Sequence, residues 1–289
     1  MPLEEQTDHI KAEKRRRAVA IAVPIAACIA LAIVLTALII PGQKLNRAKS
    51  LIDTGDYKAA YILLDGFDYK NSAELRESIK PNYQLALLSE AEVGSSVFFG
   101  SYEQDNDASD GKEDIEWIVL SKEGGRAIVI SKYALDCELY DTAMSAVTWE
   151  TCALRKWLNE EFLNGFGEEE RNSIVETAVT ADENPSFSTP PGNDTADKVF
   201  LLSITEVERY FGSDEARKCE PTEYAKARGV WRSSKHTTDG RSACWWLRSP
   251  GSLPDHAALV LDEGSVETDG RGVFNILAGV RPAMWIKWE

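Results

Sequence analysis

Few side chains in this sequence are spaced as catalytic groups are. Four cysteines follow an apolar N-terminal segment, Cys137, Cys152, Cys219 and Cys244, and no two of them have the C-x2-C spacing of a zinc or redox site. The chain also lacks the nucleophile-elbow, H-E-x-x-H and phosphate-loop motifs of common enzymes. These patterns favour a binding protein over an enzyme. They predict no catalytic residue, no metal ligand and no cofactor, and they leave the disulfide pairing open.

Polar loops offer better candidates for a ligand-binding surface. Residues 182–197 lack helical or strand periodicity and are rich in carboxylate, amide and hydroxyl oxygens, including those of Asn193, Asp194 and Asp197. Loops of this length inside a domain are usually functional or disordered. We therefore predict that these three residues bind a ligand.

A second candidate loop spans residues 231–241. It begins with Trp231, whose indole is expected to be exposed, and continues into a polar run that contains Asp239. We predict that both residues belong to the ligand-binding surface. Carboxylate oxygens suit calcium, but neither loop has the ligand spacing of an EF-hand. We therefore expect a site without metal and keep calcium as an alternative.

Tryptophans and arginines near the C-terminus invite a sugar-binding interpretation. Indole faces pack well against sugar rings, but Trp245 and Trp246 are neighbours that point to opposite sides of a strand. Only one of them could lie in a given surface, and one is expected in the core. Arg248 and Arg281 each precede a Ser or a Pro at a turn, where a buried guanidinium needs carboxylate or carbonyl acceptors. We predict structural roles for these four residues and for Trp285.

An apolar segment at residues 18–40 determines where these loops lie. It has 23 residues without a charge, contains Cys28 and follows the basic run 14–17. A helix of this length reaches about 34 Å and crosses a hydrocarbon core of roughly 30 Å. Because a signal peptide has a shorter apolar region followed by a small-residue cleavage site, we predict an uncleaved transmembrane helix.

Charge predicts the orientation and limits the partners. The excess of basic residues before the apolar segment places residues 1–17 in the cytoplasm and the C-terminal part outside, in a single-pass cell-membrane topology. The part beyond residue 17 has 27 basic and 43 acidic residues, a net charge of −16. This charge argues against nucleic acid and anionic lipid as partners. The expected partners are the membrane itself and an extracellular glycan or protein.

Residues 43–92 have helical periodicity. Leu45, Ala48 and Ile52 repeat at helical spacing, residues 54–56 interrupt the pattern, and a second stripe begins at Tyr57. This predicts an αα-hairpin. The Gly-Asp turn and the small residues after it resemble a tetratricopeptide-type repeat, but a solenoid needs about three repeats. We interpret the segment as a helical stalk rather than a peptide-binding groove.

Residues 93–289 combine short strands with helices and predict an α+β domain. The runs 115–120 and 127–130 are rich in β-branched residues and flank Gly124 and Gly125, which predicts a β-hairpin. The strand pattern continues to the C-terminus, with glycine-rich turns between the strands.

Helices are predicted at three places in this domain. Apolar residues repeat at helical spacing from about Trp149 to Phe162, which indicates a wide buried face. Ser203 and Glu206 have the spacing of a capping box, so a helix is expected to begin there. A third helix is expected after Thr222.

Several motifs occur in one order along this domain. They are W-I-V-L at 117–120, S-K-Y-A-L-D at 131–136, L-R-K-W-L-N at 154–159, V-F-L-L-S at 199–203, C-W-W-L-R-S-P-G at 244–251 and G-V-R-P-A-M-W at 279–285. Together they resemble a bacterial family of surface domains of uncharacterised function, over about residues 93–288. That family is similar in turn to the C-type-lectin-like fold shared by formylglycine-generating enzymes and the variable proteins of diversity-generating retroelements.

The resemblance implies a domain that is closed by its first and last strands. The strand near residues 97–102 should then pair with or neighbour the strand at 283–288. Formylglycine-generating enzymes hold copper between two cysteines a few residues apart, whereas Cys219 and Cys244 are 25 residues apart. The resemblance therefore does not extend to the copper chemistry.

We expect a membrane-anchored, extracytoplasmic binding module at the bacterial cell surface, with a glycan or a protein as its ligand. Two alternatives remain open. One is an oxidoreductase of the formylglycine-generating type, which would need copper between Cys219 and Cys244. The other is a structural component of an envelope complex that docks through the helical stalk.

Overall fold

The chain forms two compact units in a computed structural model, Met1–Lys80 and Pro81–Glu289. The structure describes the backbone of residues 3–232 and 241–288. Both units contain helices and only the second contains described strands, so the chain is an α+β protein with a long apolar helix at its N-terminus.

The first unit begins with a continuous helical segment. Helix α1 (Leu3–Val34) passes through a π-helical turn (Leu35–Ile39) into helix α2 (Ile40–Asp53). From Lys11 to Asp53 this segment is long and apolar enough to cross a membrane, and its most apolar stretch has a mean hydropathy of 2.9 and no buried residue. It is a candidate membrane span, and a signal sequence would satisfy the same test.

An αα-hairpin follows, as predicted. Helix α3 (Tyr57–Leu64) packs against α2, and helix α4 (Ser72–Ser78) packs against α3. The turn uses Gly55 at φ 79° and Asp56, whose carboxylate caps α3 by accepting from the Ala59 amide at 3.0 Å. Apolar side chains of these helices form a separate small core that includes Leu45, Ala48, Ala60, Leu64 and Ile79.

Helix α5 (Lys80–Glu90) begins at the boundary between the two units. The second unit is built around two large sheets. The first sheet has the order β1-β2-β3-β13-β5, with β8 also pairing with β13. Its strands are β1 (Ser96–Tyr102), β2 (Glu113–Glu123), β3 (Arg126–Ser131), β5 (Ile174–Val175), β8 (Val199–Phe200) and β13 (Ala283–Lys287).

The hairpin between β2 and β3 confirms its prediction. The two strands are antiparallel and turn at Gly124 and Gly125, whose φ angles of 51° and 76° suit glycine. The predicted pairing of the first and last strands is wrong. Strands β1 and β13 share the sheet, but the meander β1-β2-β3 places β3, not β1, against β13.

The second sheet has the order β11-β10-β9-β12-β4. Its strands are β4 (Asp136–Glu138), β9 (Trp245–Pro250), β10 (His256–Val260), β11 (Val266–Gly272) and β12 (Ala278–Val280). A third, two-stranded sheet joins β6 (Thr177–Val179) and β7 (Thr195–Asp197). Side chains from both large sheets contribute to one hydrophobic core.

Short helices connect the strands. They are α6 (Ala153–Trp157), which continues into a π-helical turn (Leu158–Phe162), α7 (Glu168–Ser173), α8 (Ile204–Tyr210), α9 (Asp214–Arg217) and α10 (Glu223–Ala227). Helix α6 begins four residues later than predicted because Cys152 caps it, its Sγ accepting from the Arg155 amide at 3.3 Å. The predicted capping box is confirmed: Ser203 and Glu206 exchange hydrogen bonds of 3.0 and 3.2 Å at the start of α8.

Candidate functional site

Strand β4 places polar side chains at one edge of the second sheet. It pairs with β12, in which Gly279 lies opposite Cys137. A Cβ at Gly279 would lie 2.8 Å from the Cβ of Ala134 and 3.1 Å from the carbonyl oxygen of Cys244. This pairing holds Asp136 and Glu138 at the sheet edge.

Asp136 lies at the centre of a hydrogen-bonded network. The Tyr102 hydroxyl donates to Asp136 Oδ2 at 2.5 Å, and the Cys137 amide donates to Asp136 Oδ1 at 2.7 Å. Arg228 Nε forms an ion pair with Asp136 Oδ1 at 3.0 Å, and Arg228 Nη2 forms one with Glu138 Oε1 at 2.5 Å. A single guanidinium therefore joins two carboxylates of one strand.

Burial raises the pKa of both carboxyl groups. Asp136 is 1% exposed, and desolvation raises its pKa although hydrogen bonds to its oxygens and the charge of Arg228 oppose the rise. The pKa of Glu138 is raised by burial, against the opposing charge of Arg228, and then by the charges of Asp136 and Glu161. Titratable groups with perturbed pKa values beside a cleft indicate a candidate functional site.

A cleft of about 310 Å³ opens beside Glu138. The helix formed by α6 and its π-helical turn lines it, and Trp157, Glu160 and Glu161 share a face because residues three and four apart are neighbours on a helix. Such π-helical turns often occur at functional sites. The lining residues are Glu138, Leu139, Thr142, Ala153, Leu154, Lys156, Trp157, Glu160 and Glu161.

Trp157 is half-buried at this cleft. Its ring centroid lies 5.8 Å from that of Phe162, which is 2% exposed. Phe162 in turn contacts Tyr102 at 5.4 Å and Phe166 at 5.5 Å between ring centroids. This aromatic cluster holds the indole in place, so the cleft combines a rigid apolar surface with carboxylate acceptors.

A second pocket, of about 530 Å³, adjoins the cleft and shares Ala153, Lys156 and Glu160 with it. Asp197 lines this pocket but is 2% exposed. Its oxygens accept from Trp149 Nε1 at 3.0 Å, Thr195 Oγ1 at 2.6 Å and Arg155 Nε at 2.7 Å. Asp197, which the sequence predicts to bind a ligand, is therefore buried, because β7 places it inside the protein. Its carboxylate oxygens already accept hydrogen bonds from these three side chains.

Asn193 and Asp194 are exposed in the loop before β7. Asn193 Nδ2 donates to Glu150 Oε2 at 2.9 Å, and Asp194 Oδ1 accepts from the Ala181 amide at 2.8 Å. The neighbouring residues 183–191 line a pocket of about 660 Å³. The loop is thus folded around its own concave surface, and ligand binding by Asn193 and Asp194 stays a prediction.

Trp231 lies elsewhere, after α10. It is half-buried rather than fully exposed, packs against the core, and its amide donates to the Leu277 carbonyl at 2.7 Å. Its carbonyl accepts from the Cys244 amide at 3.2 Å, so its hydrogen-bonding neighbours are not those of Asn193. Asp239 lies outside the residues that the structure describes.

Both tryptophans of β9 are in the core. Trp245 and Trp246 are each fully buried, because β9 is the central strand of its sheet and both of its faces are covered. Neither side chain is therefore free to stack on a sugar. Trp246 Nε1 donates to the Glu138 carbonyl at 2.9 Å, which connects the core to the strand beside the cleft.

Arg248 connects three segments of the core. It is 3% exposed and donates to the carbonyls of Thr180 at 3.2 Å and Leu201 at 2.9 Å. It also pairs with Glu206, and with Asp182 at 3.4 Å. The guanidinium therefore links β9 to the loop after β6 and to the capped end of α8.

Arg281 is also inside the protein, at 1% exposure. Its Nε donates to the Ser131 carbonyl at 2.8 Å, and its guanidinium lies 5.0 Å from the Trp245 ring and 5.2 Å from the Phe211 ring. Burial lowers the pKa of Arg281. These contacts hold the turn before β13 against the core.

Trp285 is half-buried in β13. The Arg126 guanidinium lies 4.4 Å from its ring centroid, which is a cation–π contact. Its backbone position pairs with Ile128 on one side and Val175 on the other. Strand β13 is thus an inner strand of its sheet, and a structural role for Trp285 stays a prediction.

The four described cysteines beyond the apolar segment are buried, and none of them forms a disulfide. Cys219 is 1% exposed and Cys244 is fully buried, although the Ala243 amide donates to the Cys219 carbonyl at 2.9 Å and makes their segments neighbours. Burial raises the pKa of Cys219, of Cys137 to about 11 and of Cys152 to about 12. Such thiols differ from reactive thiolates, which have a lowered pKa and are accessible.

One group of carboxylates in the described residues could hold a cation. Oxygens of Glu103, Asp105 and Glu113 lie within 4.8 Å of one another in the β1–β2 connection. Glu113 already accepts from the amides of Gln104 at 2.6 Å and Asp105 at 3.2 Å. This group lies outside residues 182–197 and 231–241, the two loops in which calcium is an alternative, and calcium binding stays a prediction.

The residues at the cleft were not identified from the sequence. Asp136 and Arg228 are brought together from distant segments, and no local pattern relates them. A local signal did exist for Trp157, which is followed at helical spacing by Glu160 and Glu161. Trp157 also belongs to the wide apolar face of the predicted helix, which indicates a buried core residue.

A family model described as a domain of unknown function (DUF6273) matches residues 124–288. Neither the curated proteins nor the solved structures give a significant match. The matched range contains β4, α6 with its π-helical turn, and α10. The cleft and the Arg228 network thus lie almost entirely within the matched domain, with Tyr102 as the exception.

Proposed function

We propose a function for this chain, which belongs to the DUF6273 family of domains of unknown function. It is a membrane-anchored, extracytoplasmic module that binds a glycan in the cleft beside Trp157. The observation that carries the proposal is the half-buried indole, held by Phe162, at a cleft of about 310 Å³ with carboxylates around it. Small-ligand sites usually combine an apolar surface with a few convergent polar groups.

The cleft suits the two surfaces of a sugar ring. The C–H face of a pyranose can pack on the indole of Trp157, as aromatic rings favour flat apolar contacts. The carboxylates of Glu160 and Glu161 accept hydrogen bonds, and sugar hydroxyls donate them. Because the indole is already held by the aromatic cluster, little side-chain entropy is lost on binding.

The loop at residues 182–194 adds a second surface to this proposal. It surrounds its own pocket of about 660 Å³, lined by Ser186, Ser188 and Thr189 together with Phe187. Hydroxyl groups beside an aromatic ring also suit a glycan or a peptide. In this arrangement Asn193 and Asp194, which follow this pocket in the chain, would contact parts of a larger ligand beyond the cleft.

A C-type-lectin-like fold and a tetratricopeptide-like stalk belong to the same proposal. The first is supported by β1 and β13 sharing one sheet, although they do not pair. The second is supported by the α2–α3 hairpin with its Gly-Asp turn. The basic residues before the apolar helix support a cytoplasmic N-terminus and an extracytoplasmic second unit.

An oxidoreductase of the formylglycine-generating type has less support. Copper ligation would need thiolates that a substrate and the metal can reach, whereas Cys219 and Cys244 are buried. A binding module requires only the exposed surfaces described above.

Glycan binding can be tested with the full chain in lipid nanodiscs on an array of bacterial and host glycans. We expect selective binding, which Trp157→Ala weakens by about tenfold or more, since buried aromatic anchors dominate small interfaces. Trp157→Phe should restore part of the affinity. Phe98→Ala serves as the matched control, because Phe98 is an exposed aromatic residue that does not line the cleft.

Thermal unfolding of each variant separates lost binding from lost folding. Binding that survives Trp157→Ala but is lost in Trp231→Ala would move the site to the predicted loops. An array with no bound glycan for the folded chain would refute the glycan-binding function.

A further inference from the structure

The cleft beside Trp157 has more carboxylates than cations. Its lining contains Glu138, Glu160 and Glu161 but only one cation, Lys156. Lys156 Nζ lies 4.0 Å from Glu160 Oε2, and this one lysine offsets only one of the three glutamates. Within the part of the chain that the structure describes, Glu161 forms no ion pair.

The ion pairs at the edge of β4 also contain more carboxylates than cations. Arg228 is the one guanidinium that pairs with both Asp136 at 3.0 Å and Glu138 at 2.5 Å. Two carboxylates therefore share one cation. The electrostatic effect of Glu161 extends to Glu138, because its charge contributes to the raised pKa of Glu138 after burial and the charge of Asp136.

Resting on the proposed function, we propose that the glycan bound beside Trp157 is an amino sugar with a free ammonium group. The ammonium pairs with the carboxylate of Glu161, four residues after Trp157 on the same helical face, while the ring of the same sugar stacks on the indole. A cation close to an indole face gains a further attraction from the ring. An N-acetylated sugar has the same ring but lacks the positive charge, so it gains only the stacking.

The test compares two ligands that differ in this group alone. The full chain in nanodiscs is titrated with glucosamine oligomers and with N-acetylglucosamine oligomers of the same length, at mildly acidic pH where the free amines are protonated. We expect the glucosamine oligomer to bind about three- to tenfold more tightly, and this preference to shrink as salt is added. Glu161→Gln should lower the preference toward one.

Glu169→Gln is the matched control, because Glu169 is an exposed glutamate on the next helix that does not line the cleft. It should keep the preference of the unmodified chain. Equal binding of both oligomers, or a preference that Glu161→Gln leaves intact, would overturn the amino-sugar assignment while the glycan-binding function stands. Binding of neither oligomer, together with an array that shows no glycan, would overturn both.

Discussion

At the scale of single residues, Arg228 explains how two carboxylates can occupy one short strand. Asp136 and Glu138 both form ion pairs with the Arg228 guanidinium, and the Tyr102 hydroxyl donates a hydrogen bond to Asp136. Breaking a buried ion pair usually costs more than the pair contributes, because it leaves an uncompensated charge. We interpret the network as the support that holds Glu138 in the wall of the cleft.

The raised pKa of Glu138 predicts a dependence of stability on pH. Below its unfolded value of about 4.3 the group is protonated in both states, so it costs nothing. Above that value the unfolded chain ionises first, so stability falls as the pH rises from the unfolded-state pKa to the raised folded-state pKa, and then stays constant. Glu138→Gln removes this cost, so the free energy of unfolding of the variant minus that of the unmodified chain should rise as the pH increases above about 4.3 and then level off.

Urea unfolding followed by tryptophan fluorescence measures this difference. Asp107→Asn is a contrasting variant, because hydrogen bonds from Ser109 lower the pKa of Asp107. Its difference should fall as the pH rises, and only up to about pH 4. A difference for Glu138→Gln that falls with increasing pH would contradict the assignment.

At the scale of elements, strand β13 connects segments from three parts of the second unit. It pairs with β3 along its whole length and with β5 and β8 on its other side. The π-helical turn after α6 has a comparable effect on the cleft, since it places Trp157 and two glutamates on one face. Short elements thus position both the core and the candidate site.

Adjacent residues of β13 provide a matched pair for stability. Ile286 is fully buried and Lys287 is exposed on the opposite face. Ile286→Ala should lower the free energy of unfolding by about 2–5 kcal/mol, because it removes buried methyl groups and leaves a cavity. Lys287→Ala should change it by less than about 0.5 kcal/mol. Thermal denaturation of the two variants would show similar melting temperatures if β13 were not an inner strand.

At the scale of the whole molecule, charge and hydropathy divide the chain. The apolar helix between Lys11 and Asp53 has no buried residue in its most apolar stretch, so nothing in the described structure covers it. The rest of the chain has a large negative charge, which favours solubility. These two properties support the proposed membrane anchor with a solvated acidic domain, and they are the basis for the next prediction.

Cysteine accessibility in whole cells tests this arrangement. In a Cys28→Ala background, a cysteine introduced near residue 289 should react with a membrane-impermeant maleimide, and one introduced near residue 4 should not. Permeabilised cells are the control, because both sites should then react. Labelling of the N-terminal site alone in intact cells would reverse the proposed orientation.

Local features of the chain were predictable from the sequence. The long apolar helix, the turn at Gly55, the β2–β3 hairpin and the capping box at Ser203 each depend on residues within a few positions of one another. Periodicity, turn preferences and capping act over this same short range. They are therefore properties of the sequence itself.

Tertiary structure alone decided which residues are buried and which meet. Both Trp245 and Trp246 lie in the core because β9 is the central strand of its sheet and other parts of the domain pack on it, and Asp197 is buried because Trp149 and Arg155 reach it from a distant segment. Strand pairing and burial depend on residues far apart in the chain, so no local pattern records them. The cleft beside Trp157 exists for the same reason.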